Sequence, residues 1–494
     1  MGKKVIVIGA GPGGLTNAMI LQHRGFDVEI YEKDPVVGGR NQAIKLGDFI
    51  FDMGPTFLMM KNILEDMFKL AGRKIEDYLD IKEVDPMYRL AYHDGREFFP
   101  SHKDQQKTYE QIKKLFPGNE EGYWRLLKRE KQKYDKLVPC LQVPYDRYTD
   151  FFSKRFIKAL PYLDAHVSLF DVLGRYYSDD DLKIAFTFQA KYLGMSPWEC
   201  PGTFTIISYI EHNGGIYHPI GGLNEISHQM AKILEEDGGK IHLSSPVKKV
   251  SVENGKANGI ILENGDFKES DYVVVNADFG YAINNLFDSK DLKKWKPEKI
   301  HKKKFSCSTF MLYLGVDKVY DIPHNNIVFA EDYKKNVDEI AVSGVLSEDP
   351  SVYIQNAVAT DPTLAPEGQS TIYLLVPIAN NQSNIDWDKD ADGFRDKVLD
   401  IVENRGKLTG LREHIVEEKM ITPAQWENEL NVYRGATFNL AHNVGQMLIF
   451  RPHNKFEDVE NVYLVGGGTH PGSGLPTIYE SGRISADIMT ELAK

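Results

Sequence analysis

Near the amino terminus stands a set of residues whose types and spacing suit the binding of a dinucleotide. Gly9-Ala10-Gly11-Pro12-Gly13-Gly14 follows the β-branched run Lys3–Ile8 and precedes a stretch of helical composition, Leu15–Arg24. Gly9 permits a tight turn, Gly11 lets the backbone approach a pyrophosphate, and Gly14 allows a helix to pack closely on a strand. The helix start offers free N–H groups and the positive end of its dipole to the phosphates. A second strand, Asp27–Tyr31, ends at Glu32 and Lys33. That places an acid about 20 residues beyond the glycines, where a carboxylate hydrogen-bonds the ribose hydroxyls of an adenosine. A glycine turn by itself is a weak signal, and a surface acid after an edge strand is the plain alternative for Glu32. The strand before, the helix after and the acid in register carry the dinucleotide reading. An acid here also disfavours NADP, whose 2′-phosphate it would repel.

Further along, Gly38-Gly39-Arg40 bends the backbone so that a guanidinium can aim at a pyrophosphate. A solvated loop arginine is the alternative. Phe51-Asp52-Met53-Gly54-Pro55-Thr56 follows, with Gly54-Pro55 as a turn and Gly54, Pro55 and Thr56 assigned to the same site. At the other end of the chain, Asn461–Val465 reads as a buried strand that runs into Gly466–Pro476 and then a helix, Thr477–Leu492. So many glycines are costly unless a close approach requires them. Gly467, Gly468, Thr469, Gly474, Leu475 and Pro476 are expected to meet the same cofactor from its other side. The helix start would face an electron-rich part of the ligand, which in a flavin is N1/O2. A merely tight turn is the alternative. His470, within this turn, is the titratable candidate for a base; a loop histidine that supports the turn is the other reading.

These residues need a scaffold. At 494 residues the chain should form two or three compact units. Gly221-Gly222-Leu223 opens an amphipathic helix, Asn224–Glu236, and a strand, Lys240–Leu243, follows. Hairpin strands around Gly255 and Gly265 lead to Tyr272–Val275 and then Asn276, Ala277 and Asp278, which would return to the cofactor. The alternation in Ser308–Val316 and Thr371–Pro377 suggests a mixed sheet, whereas the first half of the middle reads as largely helical.

Composition excludes other classes. A net charge of -12 argues against a nucleic-acid binder. No apolar run approaches the roughly 20 residues of a membrane span, and Val5–Ile8 is too short for a signal-peptide core, so a cytoplasmic protein is expected. Cys140, Cys200 and Cys307 are scattered, which reads as reduced structural thiols and no metal site. Two segments bear on membrane contact. Tyr145–Tyr162 mixes aromatics with Arg147, Lys154, Arg155 and Lys158, and Lys290–Lys304 carries eight lysines around Trp295. Each suits an anionic lipid surface or a solvated basic loop.

The chain resembles the carotenoid desaturases of the flavin amine oxidase superfamily, and more narrowly the bacterial phytoene and diapophytoene desaturases. The resemblance rests on FDMGPTFLMM (residues 51–60), GGIYHPIGGLNEI (214–226), DPTLAPEGQSTIYLLVPIAN (361–380), FRPHN (450–454) and GGGTHPGSGLP (466–476), and so covers nearly the whole chain. It implies non-covalent FAD in an α/β fold (α+β overall), a Rossmann-like FAD domain assembled from segments 1–85, 214–281 and 441–494. A mainly helical substrate domain would span 86–213 and a mixed sheet 282–440. It also implies that Val247 contacts the adenine, and it brings in Asp146 and Arg147 as candidate site residues. The implied activity is desaturation of a hydrophobic polyene, with a hydride passing to flavin N5, at a membrane surface. Isomerisation, terminal methyl oxidation or retinol saturation of a similar polyene, and a flavin-binding lipid carrier without turnover, are the alternatives. An amine oxidase is disfavoured because the Gly467–Pro476 turn supplies no aromatic cage.

Overall fold

The computed structural model describes residues 2–494, the side chains of Lys191 and Tyr192 excepted. Its amino-terminal strand, Lys4–Ile8, lies at the centre of a five-stranded parallel sheet, between Tyr272–Val275 and Asp27–Tyr31. Val462–Leu464 and Lys240–His242 form the two edges. A parallel strand covered on both faces must be apolar throughout, and Val5, Ile6, Val7 and Ile8 are all buried. Three helices, Pro12–His23, Asn224–Glu236 and Leu475–Leu492, cover one face and share a core with Val5 and Val7. The other face, from Ile6, Ile8, Val273 and Val275, packs on the antiparallel strands Val247–Glu253 and Lys256–Leu262. The fold is α/β with a Rossmann-like unit built from three separated stretches of chain.

The second sheet has seven strands, ordered Ile415–Ile421, Ser308–Val316, Ser370–Ile378, Val352–Asn356, Asn325–Val328, Arg89–Ala91 and Glu97–Phe98. Ser308–Val316 is buried along its whole length, and its side chains divide by parity. Phe310, Leu312, Leu314 and Val316 pack on the helix Trp387–Asn404 through Phe394, Val398 and Val402. Met311 and Tyr313 point the opposite way, towards Phe49, Phe51 and Met53. This period-2 alternation seats the second sheet against the strand Phe49–Asp52 and Met53 beyond it. The stretch between Phe98 and Ile216 holds the helices Gln105–Leu115, Glu120–Leu141 and Ile206–Gly214 among shorter helical turns.

Some boundaries differ from those expected. The first helix begins at Pro12 and not at Leu15, so Gly13 and Gly14 lie inside it. Proline presets the first helical φ, and the glycines are required by packing, since a Cβ on Gly14 would sit 2.4 Å from the Gly9 carbonyl oxygen. The last helix likewise starts at Leu475, ahead of Thr477, with Pro476 in its first turn. In the basic segment Lys290–Lys304 the aromatic is core: Trp295 is 3% exposed and its Nε1 donates to Glu457 at 3.0 Å. Among the described residues no helix is long and apolar enough to cross a membrane.

Candidate functional site

The two glycine-rich ends meet. A Cβ on Gly13 would lie 2.8 Å from Asn276 Oδ1 and 2.9 Å from the Gly466 amide nitrogen, so only bare backbone fits at this junction. Asn276 ties it together by donating from Nδ2 to the Gly9 carbonyl at 3.2 Å. A cavity of about 480 Å³ opens beside them.

Gly9, Gly11, Pro12 and Gly13 line one end of that cavity, and Glu32, Lys33 and Val247 stand beside them. Glu32 is 5% exposed and its carboxylate accepts from the Ala10 and Asp34 amides at 2.7 and 2.9 Å. Burial raises its pKa above the usual carboxylate value, and those two N–H groups act in the opposite sense. Gly39, Arg40, Gly54, Pro55, Thr56, Asn276 and Ala277 also line the cavity. Arg40 Nη1 donates to the Thr437 carbonyl at 2.9 Å and lies 3.9 Å from Asp278 Oδ2. Gly467, Gly468, Gly474, Leu475 and Pro476 line the cavity from the carboxy-terminal segment.

Ala10, Gly14, Gly38 and Thr469 were assigned to the site by sequence but do not line the cavity. Ala10 and Gly38 bond to each other through backbone, Gly38 N–H to Ala10 O at 2.8 Å. Gly14 packs the helix on the strand, and the Thr469 hydroxyl turns away to donate to the Pro452 carbonyl at 2.6 Å. The three catalytic candidates also lie elsewhere. His470 is buried under the turn with Nε2 2.9 Å from the Val143 carbonyl, and burial lowers its pKa to about 3. Asp146 sits 3.5 Å from His453 Nδ1, and Arg147 caps a short helical turn, Tyr148–Phe152. Neither reaches the cavity, because the segment that carries them is folded onto the outside of the turn.

From Thr56 the cavity extends into a second arm. Its walls are Phe57, Met59, Phe188, Ile327, Phe329 and Leu375, with the hydroxyl-bearing rings of Tyr353 and Tyr373. Tyr353 Oη donates to Asn325 Oδ1 at 2.6 Å and lies 2.7 Å from Thr56 Oγ1. Tyr373 Oη donates to the Gly54 carbonyl at 2.9 Å. All the formally charged residues of the cavity, Glu32, Lys33, Asp34, Arg40, Glu263 and Asp278, come from the segments around the parallel sheet. Among the described residues the arm contributes none. Sequence reasoning missed this arm because its residues are ordinary core types from distant segments. It also missed Ser473 and Asn439, of which only Ser473 sits in a recognisable motif.

Behind the arm lies a buried polar joint. Asp361 accepts from the Gly221 amide at 2.7 Å and the Thr363 hydroxyl at 2.6 Å, with His218 Nε2 3.3 Å away. Asp52 Oδ1 accepts from the Leu223 amide at 2.7 Å, and burial raises this carboxyl to about 6. A larger open cleft, about 1320 Å³, shares Pro377 with the cavity but contains none of the glycine-rich motifs.

The cavity fits a dinucleotide. Two helix starts, at Pro12 and Leu475, open on it, glycine backbone from both ends of the chain lines it, and the buried Thr437 Oγ1 on its wall has no hydrogen-bond partner among the described residues. None of the three cysteines lines it.

Residues 12–490 match the family model described as flavin containing amine oxidoreductase. The chain is 48% identical over 489 residues to a 4,4'-diapophytoene desaturase (4,4'-diapolycopene-forming) of Methylomonas sp, covering 99% of this chain and 95% of that protein. It is 36% identical over 503 residues to an all-trans-zeta-carotene desaturase of Myxococcus xanthus, covering 99% and 94%. Among solved structures, an oxidoreductase from Methanosarcina mazei superposes with a TM-score of 0.65 at 18% identity, covering 99% of this chain and 100% of that one.

Proposed function

The chain belongs to the flavin containing amine oxidoreductase family, and from that membership we propose that it is an FAD-dependent carotenoid desaturase. Its substrate is a hydrophobic polyene, phytoene or the C30 analogue diapophytoene, and its place is in carotenoid biosynthesis. The observation that carries this reading is the uncharged arm: aromatic and aliphatic walls that continue directly from the glycine-lined end of one cavity. Such a wall suits a polyene and gives a protonated amine no counter-ion.

Forming the double bond removes a hydride from one carbon and a proton from its neighbour, the proton being released to solvent. Bound FAD supplies the hydride acceptor. The protein's residues orient the chain and keep water out, and the arm offers only hydroxyls that already hold partners at Asn325 and Gly54. In this reading the cavity-lining residues of the glycine-rich segments hold the dinucleotide without a covalent bond, with Glu32 at the ribose and Val247 at the adenine. His470, Asp146 and Arg147 have no part in it. The division into an FAD domain and two substrate-domain stretches belongs to the same proposal.

Peripheral membrane contact belongs to it as well. Tyr148, Phe152, Ile157 and Leu160 are exposed on one short helical stretch that also carries Arg147, Lys154, Arg155 and Lys158. An apolar tip ringed by cations suits insertion at an anionic headgroup layer.

The test is expression in hosts that accumulate phytoene or diapophytoene, followed by absorption spectra of the extracts. A red shift that steps with each added double bond supports desaturation. Unchanged carbon skeletons with altered double-bond geometry or added oxygen would replace it with isomerisation or oxidation.

A further inference from the structure

Arg451 is fully buried, and among the described residues no carboxylate pairs with it. Its guanidinium is instead spent on backbone carbonyls. Nη2 donates to Gly467 O at 2.7 Å and to Leu440 O at 3.3 Å, Nε to Thr469 O at 3.1 Å, and Nη1 to Gln446 O at 3.4 Å. These bonds satisfy its N–H groups but leave its charge uncompensated, which is an expensive state for a buried ion.

The surroundings do not supply an anion. The nearby imidazoles are neutral: burial takes His470 down to about 3 and pulls His442 far below the ordinary histidine value. Glu480 is engaged by Arg483 at 2.6 Å, and Asp278 pairs with Arg40 at 3.9 Å. Burial lowers Arg451 itself to about 9, which leaves it charged near neutrality. The charge therefore stands alone behind Gly467, and Gly467 is cavity wall. The helix Leu475–Leu492 starts on the same side, so its dipole adds to the field with the same sign.

We propose that Arg451 is a positioning residue for the reduced cofactor: its buried charge, one peptide behind the cavity wall, stabilises the negative charge a flavin ring gains on accepting a hydride. It thereby raises the reduction potential of the bound flavin, as removal of a hydride from an unactivated carbon requires. The inference rests on the flavin reading above and deepens it.

The experiment uses the full-length protein with bound FAD, as wild type, Arg451→Lys and Arg451→Met. Flavin content, midpoint potential by dye equilibration, and the dissociation constant of the flavin–sulfite adduct are measured on the same samples. Sulfite adds to the ring and leaves it negative, so it reports the same charge stabilisation without turnover. The wild-type potential is expected above that of free FAD. Arg451→Met should weaken the sulfite adduct at least tenfold and lower the potential by about 30 mV, the equivalent for a two-electron couple. Arg451→Lys, which keeps the charge, should stay within about threefold of wild type. Flavin bound to Arg451→Met with unchanged potential and sulfite affinity overturns the proposal. Should that variant fail to fold, a wild-type flavin no easier to reduce than free FAD overturns it equally. A wild-type protein that takes up no flavin at all is a different result and defeats the flavin reading itself.

Discussion

The backbones of Gly13 and Gly466, from opposite ends of the chain, approach so closely that a Cβ on the first would sit 2.9 Å from the amide nitrogen of the second. The parallel sheet imposes this contact. Lys4–Ile8 and Val462–Leu464 both flank Tyr272–Val275, so the loops that leave them emerge side by side. A dinucleotide site assembled from both termini follows from that strand order.

Gly13→Ala should therefore act on the site before it acts on the fold. The added methyl meets backbone at Gly466 and the fixed Asn276 amide, neither of which can give easily, at a strain of roughly 1–3 kcal/mol. Flavin content, read from absorbance per mole of purified protein, should fall severalfold or more with only a modest drop in Tm. Full flavin occupancy in the variant would show that the two ends are not held in contact.

Asp361 gives a prediction with a defined pH window. Burial alone would raise its pKa, but the bonds from His218, Thr363 and the Gly221 amide hold it at about 2. The folded value lies below the unfolded one of about 3.9. Its stabilisation is thus complete above about pH 4 and lost as the pH falls towards 2. Asp361→Asn should lower stability by about 2 kcal/mol at pH 7. In melts recorded against pH, the gap from wild type should close below about pH 4; a gap that persists at pH 2 contradicts the assignment.

His470 runs in the same sense, in a window at higher pH. With a folded value near 3 against about 6.5 unfolded, it stays neutral in the fold, and the unfolded chain takes up its proton first. Its contribution to stability falls progressively as the pH drops from 6.5 towards 3. His470→Asn should leave the shape of the pH–rate profile between 5 and 8 unchanged and lower Tm at pH 7. Loss of a turnover inflection in that range, with flavin retained, would restore His470 as a base.

Ile327 stands in the wall of the uncharged arm, on the strand Asn325–Val328. An aspartate there places a carboxylate where the described residues offer no counter-charge, and turnover of a polyene should fall at least a hundredfold. The glycine-lined end is built by other segments, so flavin content should hold. A variant that still desaturates at near the wild-type rate would mean that the polyene lies elsewhere.

Much of this architecture was legible in the residues. Asp27–Tyr31, Asn224–Glu236, Tyr272–Val275 and Ser308–Val316 form with the bounds their patterns predict, because β-branched runs and a 3.6-residue apolar period are local signals. The helix at Pro12 was read three residues late, since Gly13 and Gly14 look like loop and are helical only because close packing demands it. The glycine-rich side of the cavity was likewise visible through spacing. Its apolar arm was not: Phe188 is far in sequence from Ile327 and Phe329, Tyr353 meets Ile327 only through strand pairing, and each has the type of an ordinary core residue. Arg451 lay in plain view within FRPHN, but a sequence does not say that an arginine is buried without a carboxylate.

The central claim is that this chain couples bound FAD to desaturation of a polyene. The most direct test is an anaerobic single turnover of the FAD-loaded protein with diapophytoene and, separately, with phytoene in lipid vesicles. Flavin absorbance near 450 nm is followed while products are resolved by chromatography. Bleaching is expected with at least one of the two substrates, and one new carbon–carbon double bond for each flavin reduced. Bound flavin that neither substrate bleaches, or bleaching without a new double bond, would contradict it.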